Sequence, residues 1–307
     1  MYHPRMAASS LFRRWPGPWL GLAYFFCWLL LAPAEQPYWS LSFGLRFGVL
    51  LLAPLRYWGW VLGAECAASA WHELAAGLPI GWLGFAIGDL PEPLVVAACL
   101  WLLRRTGLKT DLRDPEAVSR LLLSAVLAVA ATTATDAMLL AALRASPSPE
   151  LLAQALGQDL LGNYVGMLLV VPVLIMLVHA RPSSLVRTRL TMDGLRVLLP
   201  ALALLLVLSE RGAPQPQFAR VLSLAPVLFF AFRHGWRGAG VSMLISSLGL
   251  TMIDLAVKHE PPTAAAHLFL AVAGTGALML GAASDALRRS SEQVAEQNAY
   301  LAAANQR

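Results

Sequence analysis

Charge is what this sequence has least of. Only 13% of its 307 residues are Asp, Glu, Lys or Arg, and 58% are hydrophobic. Soluble domains run to about 25% charged and about 45–50% apolar. A mean hydropathy of +0.61 points the same way. Water-soluble globular and disordered classes are thereby excluded, and domain counting by length does not apply. Cysteine is scarce too. Cys27, Cys66 and Cys99 lie in apolar stretches without disulfide or metal spacing, so they read as membrane-buried thiols. Long polar segments are missing, so no separate extracellular domain can fold between spans, and a signal must be received within or between membrane helices. There is no nucleophile elbow, phosphate-binding loop, intramembrane-protease motif, His-x-x-x-His or cysteine pair. No cofactor is implied.

What is present is a series of apolar runs. Residues 1–15 carry Arg5, Arg13 and Arg14 and precede an apolar stretch from Pro16 to Ala32. Ala32-Pro33-Ala34 looks like a signal-peptidase site, but the run is long for a signal core and reads as the first span. The expected fold is all-α, a polytopic membrane helix bundle of about ten transmembrane helices followed by a cytoplasmic signalling helix. The spans fall near 16–33, 41–56, 58–78, 81–103, 119–143, 154–179, 194–209, 219–233, 238–257 and 264–286. Eight is the fallback count, reached by dropping the seventh and eighth together. Pro91 and Pro93 interrupt the fourth span.

The net charge of +5 suggests nucleic acid at first sight. Its distribution argues for membrane topology instead. With the N-terminus inside, eighteen Lys and Arg fall on cytoplasmic segments and four outside. Both termini are then cytoplasmic, and the expected location is a bacterial inner membrane. Residues 1–286 form the membrane unit, and 287–307 open a cytoplasmic helix. There Leu287, Val294 and Leu301 are spaced by seven with polar residues between, the start of a heptad seam. That seam predicts a homodimer through the last span and the signalling helix. Two and a half heptads are too few for a coiled coil alone.

The ionisable residues inside the spans are the functional candidates. Arg46, His72, Glu73, Asp89, Asp136, Asp159, Asn163, Asp254 and His267 fall in the expected outer halves, while Glu65 and Glu92 lie near the middle. Glu65 and His72 are seven apart, Asp89 and Glu92 three, Thr132 and Asp136 four, and Asp159 and Asn163 four, so each pair shares a helix face. Arg46 is the one fixed cation in the set and is expected to pair with one carboxylate. The plainer reading is helix-to-helix hydrogen bonding, about 0.6 kcal/mol each. Their collection on one side argues instead for a polar cavity open towards the outer face. His72 and Glu73 point about 100° apart on a helix, which disfavours a metal. Tyr38, Trp39, Trp71, Trp82 and Phe85 near the outer boundary, and Tyr57, Trp58, Trp60, Trp101 and Trp236 near the inner, read mainly as an interfacial belt. The outer group also offers stacking surfaces to a planar ligand. The expected binding set is Trp39, Arg46, His72, Glu73, Asp89, Glu92, Asp136, Asp159 and Asn163, with a small molecule and membrane lipid as partners. A secondary transporter is the alternative, though no clear repeat relates the two halves.

Three stretches carry a family resemblance. Tyr38-Trp39 with Gly44, then Arg56, Trp58 and Gly63, form an opening Trp–Gly helix and a short basic turn. Ala86-Ile-Gly-Asp-Leu-Pro-Glu92 runs on to Arg104-Arg105. Gly162-Asn-Tyr-Val-Gly166 runs on to Pro172, with Asn163 where the family usually has Asp. In these, over residues 38–180, the chain resembles the first class of membrane-associated sensor domains, the MASE family. The resemblance implies a non-catalytic, ligand-sensing input module. It also implies a downstream histidine kinase acting on a response regulator, or a diguanylate cyclase or phosphodiesterase. No such effector lies in these residues. A purine-type plant hormone is one planar signal that the resemblance suggests.

Overall fold

The computed structural model describes residues 17–34, 39–75, 82–105, 107, 112–142, 148–179, 184–210, 216–253 and 264–305. Eleven α-helices follow in order: α1 (Gly17–Leu31), α2 (Leu41–Leu52), α3 (Trp58–Ala75), α4 (Trp82–Gly88), α5 (Pro91–Arg105), α6 (Pro115–Ala142), α7 (Pro149–His179), α8 (Ser184–Asp193), α9 (Leu199–Glu210), α10 (Pro216–Ile253) and α11 (Ala264–Asn305). A π-helical segment, Gly194–Leu198, joins α8 to α9. Apart from an isolated bridge at Trp39, the described residues contain no β-structure.

Five helical stretches are long and apolar enough to cross a membrane: Phe85–Arg105, Pro115–Ala142, Glu150–Val178, Thr188–Leu208 and His267–Asn305. The protein is therefore a multi-pass membrane protein. Gly17–Leu31 and Leu41–Leu52 are apolar but shorter. Helix α2 is shorter than the 41–56 span expected there. Its 12 residues are almost all buried, Arg46 included. At 1.5 Å per residue it spans about 18 Å, less than the roughly 30 Å of hydrocarbon. It is the core peg of the bundle, and α1, α3, α5 and α7 surround it.

Two small-residue seams let α2 in. Gly44 and Gly48 on α2 face Gly162 and Gly166 with the turns beyond them on α7. A Cβ at Gly44 would strike the Gly166 carbonyl, one at Gly166 the Ser40 carbonyl, and one at Gly48 the Leu174 side chain. Close backbone approach of this kind drives helix association where no hydrophobic gain is available. The Ser40 N–H donates to the Gly162 carbonyl at 3.2 Å, and the Ser40 hydroxyl caps α2 by accepting from the Phe43 N–H. At the other end of α2, Arg104 donates to the carbonyls of Leu50 (2.8 Å), Leu51 (2.5 Å) and Ala53 (2.8 Å). A cation on the last carbonyls satisfies acceptors that the helix leaves open.

The prolines of the fourth expected span act as anticipated. Helix α4 stops at Gly88, Asp89 and Leu90 turn back on the Phe85 carbonyl, and α5 restarts at Pro91. Proline fits the first turn because the N–H it lacks has no helical partner there. The break leaves Asp89 on a turn rather than on a helix face.

A constriction lies at the end of the bundle away from Ser40. Helix α10 kinks at Gly235, whose φ of +67° favours glycine. The Asp285 carboxylate of α11 sits directly against that glycine. One turn on, Arg288 donates to the Phe232 carbonyl and Arg289 to the Arg113 carbonyl. His234 and Arg233 both reach Asp193. Helix α11 then continues unbroken through residue 286, and Leu287, Val294 and Leu301 are exposed along it.

Replacing Gly166 by Ala is expected to lower stability by about 1–3 kcal/mol, because the added methyl meets backbone that cannot swing away. Gly157→Ala, where a Cβ meets nothing within 4 Å, is the control and should leave the melting temperature of the detergent-solubilised protein unchanged or slightly raised.

Candidate functional site

The Arg46 side chain is carried inward on the buried helix α2, and only about 6% of it is exposed. An isolated guanidinium in an apolar interior is costly, so carboxylates must gather round it. Two do. Glu65 of α3 accepts from Arg46 Nε at 2.6 Å, and Glu92 of α5 lies 2.8 Å from Arg46 Nη1. The expectation of a single partner is thus corrected: the guanidinium is forked between two helices. Glu65 is itself nearly fully buried, with about 3% of its side chain exposed.

The network extends into α7. Asn163 Nδ2 donates to Asp159 Oδ1 at 2.8 Å and lies 3.5 Å from Glu92 Oε1. The four-residue spacing noted in the sequence therefore makes a real contact. Asp159 Oδ2 accepts from the Thr133 hydroxyl of α6 at 2.7 Å. Beside this chain, Asp89 accepts from the Ser69 hydroxyl at 2.7 Å. One polar array thus joins five helices, α2, α3, α5, α6 and α7.

The array borders a cavity of about 620 Å³. Eight of the nine expected binding residues line it: Trp39, Arg46, His72, Glu73, Asp89, Glu92, Asp159 and Asn163. Asp136 does not. It lies three residues beyond Thr133 on α6, and Thr133 is the residue of that helix that reaches Asp159. Asp254 lies outside the described residues, and His267 is buried away from the cavity. Glu65, Trp28, Ser40, Ser42, Cys66, Ser69 and Gln158 also line the cavity and were not in the expected set. Glu65 shares a face with His72 at seven residues' spacing, which is the signal that could have included it. Trp28 carried no such signal, because α1 is apolar on every side.

The aromatic residues divide. Trp71 and Trp60 are exposed as a belt requires, but Trp39 is 1% exposed and Trp28 is 8% exposed. These two belong to the cavity rather than to the interface with lipid. The Trp28 ring meets His72 edge-on at 5.9 Å between centroids. Neither Trp28 Nε1 nor Trp39 Nε1 has a hydrogen-bond partner among the described residues. No group of three or more His, Cys, Asp or Glu among the described residues is placed to hold a metal ion. The three cysteines are free thiols.

The cavity and the basic constriction occupy opposite ends of the bundle. Ser40 at the start of α2 borders the cavity, while Ala53 after its end meets Arg104. Polar chemistry, Arg46 included, is therefore gathered at one end, and the arginines of the constriction lie at the other.

A ligand-sized cavity thus lies in a membrane helix bundle, and a helix runs on from the far end. The MASE1 family model matches residues 17–288, so the chain belongs to the MASE1 family of membrane-associated sensor domains. The match extends well past the residue 38–180 region in which the motifs are recognisable. No curated protein and no solved structure matches the chain.

Arg46→Gln is expected to destabilise the protein by about 3–5 kcal/mol, because Glu65 is then a buried charge without its partner. Arg46→Met combined with Glu65→Met should recover most of that loss. Thermal unfolding of the purified wild type and the two variants measures both effects.

Proposed function

We propose that this chain is a receptor module that binds a small molecule in the cavity bounded by Trp39, Arg46, Glu92, Asp159 and Asn163 and passes the event to its last helix. The observation that carries this reading is the position of Tyr164. It follows Asn163 of the cavity network directly, and its hydroxyl lies 2.8 Å from the Thr275 hydroxyl of α11. Eight residues further along α7, Pro172 packs against Gly240 of α10. A ligand that displaces Asn163 or Asp159 thus acts on a helix in direct contact with the output helix. Such a ligand shifts the equilibrium only by its differential affinity for the two helix arrangements.

In this reading the cavity faces the outside of a bacterial inner membrane, and both termini are cytoplasmic. The helices cross ten times, with α10 contributing two passes across its kink. The exposed Leu287, Val294 and Leu301 seam pairs with a second copy. The shift is delivered to a histidine kinase and its response regulator, or to an enzyme of cyclic-di-GMP turnover. A planar ligand such as a purine-type plant hormone is one candidate, suggested by the family resemblance. A secondary transporter is the competing reading, and the apolar packing between the cavity and the basic end weighs against it.

A ligand-induced rise in melting temperature should be lost in Asp159→Ala and retained in Asp136→Ala, since only the first residue lines the cavity. Tyr164→Phe should leave ligand affinity within twofold and abolish the ligand's effect on disulfide crosslinking of Val294→Cys in membranes. Substrate-driven uptake into proteoliposomes would support the transporter and sink the receptor reading. Absence of Val294→Cys crosslinking at all would remove the dimer.

A further inference from the structure

A groove of about 300 Å³ lies between the α8–α9 arm and α10, apart from the polar cavity. Leu195, Leu199 and Leu202 form one wall, and Phe230, Val241 and Ile245 the other. Thr191 and Ser242 also line it, but their hydroxyls donate to the Thr188 and Ala239 carbonyls, so neither asks a polar group of an occupant. Leu195, Leu199 and Ile245 are exposed, so the groove opens sideways, and on a membrane span that side is lipid. From Leu190 to Leu202 its wall follows the arm for about 18 Å, close to the roughly 15 Å depth of one hydrocarbon leaflet. An acyl chain has that shape and chemistry.

The wall is built by an uncommon device. Gly194, Leu195 and Leu198 of the π-helical segment all line the groove. Such segments are rare and are found mostly at functional positions. At the deep end Leu202 lies against Gly249 of α10.

The other end carries charge, which is a separate observation. Asp193, the residue before Gly194, accepts from Arg233 Nε at 2.7 Å and lies 2.8 Å from His234 Nε2. The His234 ring meets Phe230 of the groove wall at 5.4 Å between centroids. Arg233 is held at this end yet more than half exposed. Arg189 and Arg196 are exposed on the arm itself, and among the described residues neither forms an ion pair with a carboxylate. Three arginines thus stand against the one carboxylate of Asp193. Basic clusters at the ends of membrane helices attract anionic headgroups, and basic pockets between such helices hold them.

We infer that this groove is a binding site for an anionic phospholipid. One acyl chain lies along the π-helical wall between α9 and α10, and the phosphate meets the exposed guanidinium of Arg233. A free anion makes no use of the groove, and a zwitterionic headgroup makes none of the excess positive charge. The site is independent of whatever the polar cavity binds.

The full chain is purified in detergent, stripped of lipid by extended washing, and melted at increasing mole fractions of dioleoylphosphatidylglycerol or dioleoylphosphatidylcholine, or with inorganic phosphate alone. Phosphatidylglycerol is expected to raise the melting temperature saturably and at severalfold lower mole fraction than phosphatidylcholine. Its apparent affinity should fall about fivefold in Arg233→Gln, which removes one cation from the headgroup end. A Cβ at Gly194 meets nothing within 4 Å, so Gly194→Phe fills the groove and should abolish the effect. Ile245→Trp tests the same point from the facing wall should Gly194→Phe not fold. Ala203→Phe, at an exposed position of α9 outside the groove, should retain the effect. Equal shifts from the two lipids would overturn the headgroup assignment. A shift reproduced by phosphate alone would replace the lipid with a free anion. A shift that survives a folded groove variant would reduce the lipid to the general annulus, and no saturable shift with phosphatidylglycerol would overturn the site.

Discussion

The buried guanidinium of Arg46 is the constraint on which the cavity end of this bundle depends. A helix as short as α2 gains little from crossing the membrane by itself. It is held because its glycines admit α7 to backbone contact and because its one charge has to be met from neighbouring helices. Glu65 and Glu92 come from α3 and α5, and Asn163 and Thr133 extend the same array to α7 and α6. Helix packing and polar satisfaction are thus a single requirement here. Neither could be changed without the other, since the glycine seam sets the depth at which Arg46 meets its carboxylates.

Much of the site was legible in the residues because charge inside a membrane segment is rare enough to be informative. Arg46, Glu73, Asp89, Glu92, Asp159 and Asn163 were each identifiable one at a time, and spacing joined Asp159 to Asn163. What spacing does not convey is which helices touch. Glu65 was placed near the middle of its span and left out of the binding set, and it proved to be the closest partner of Arg46. Asp136 had the same composition signal as Asp159, yet the rotation of α6 presents Thr133 instead. Trp39 was read both as a belt residue, by its position at a span end, and as a member of the binding set. It became a wall of the cavity because the Ser40 N–H bonds to Gly162 and draws the preceding residue inward.

The fold was legible as an all-helical membrane bundle, and the proline break fell where expected, at Asp89 and Leu90. The role of α2 was less accessible. Hydropathy reports how apolar a segment is, without distinguishing lipid from protein as the apolar surroundings. The paired small-residue seams, Gly44 with Gly48 and Gly162 with Gly166, are the sequence signal that marks a helix enclosed by others, and they lie in the same motifs that carry the family resemblance.

The seat of Asp285 on Gly235 has a mechanical consequence for the helix that leaves the bundle. Arg288 and Arg289 close on the Phe232 and Arg113 carbonyls within one turn of that aspartate, so three contacts ring a single level of α11. Sliding α11 along its axis by one helical turn, about 5.4 Å, would carry all three beyond hydrogen-bonding or contact distance. Tilting about that level lengthens none of them much. On the receptor reading proposed above, the collar would work as a fulcrum: a small sideways displacement of the membrane arm would reappear beyond it, reversed in direction, along the roughly 30 Å of helix from Asp285 to Asn305.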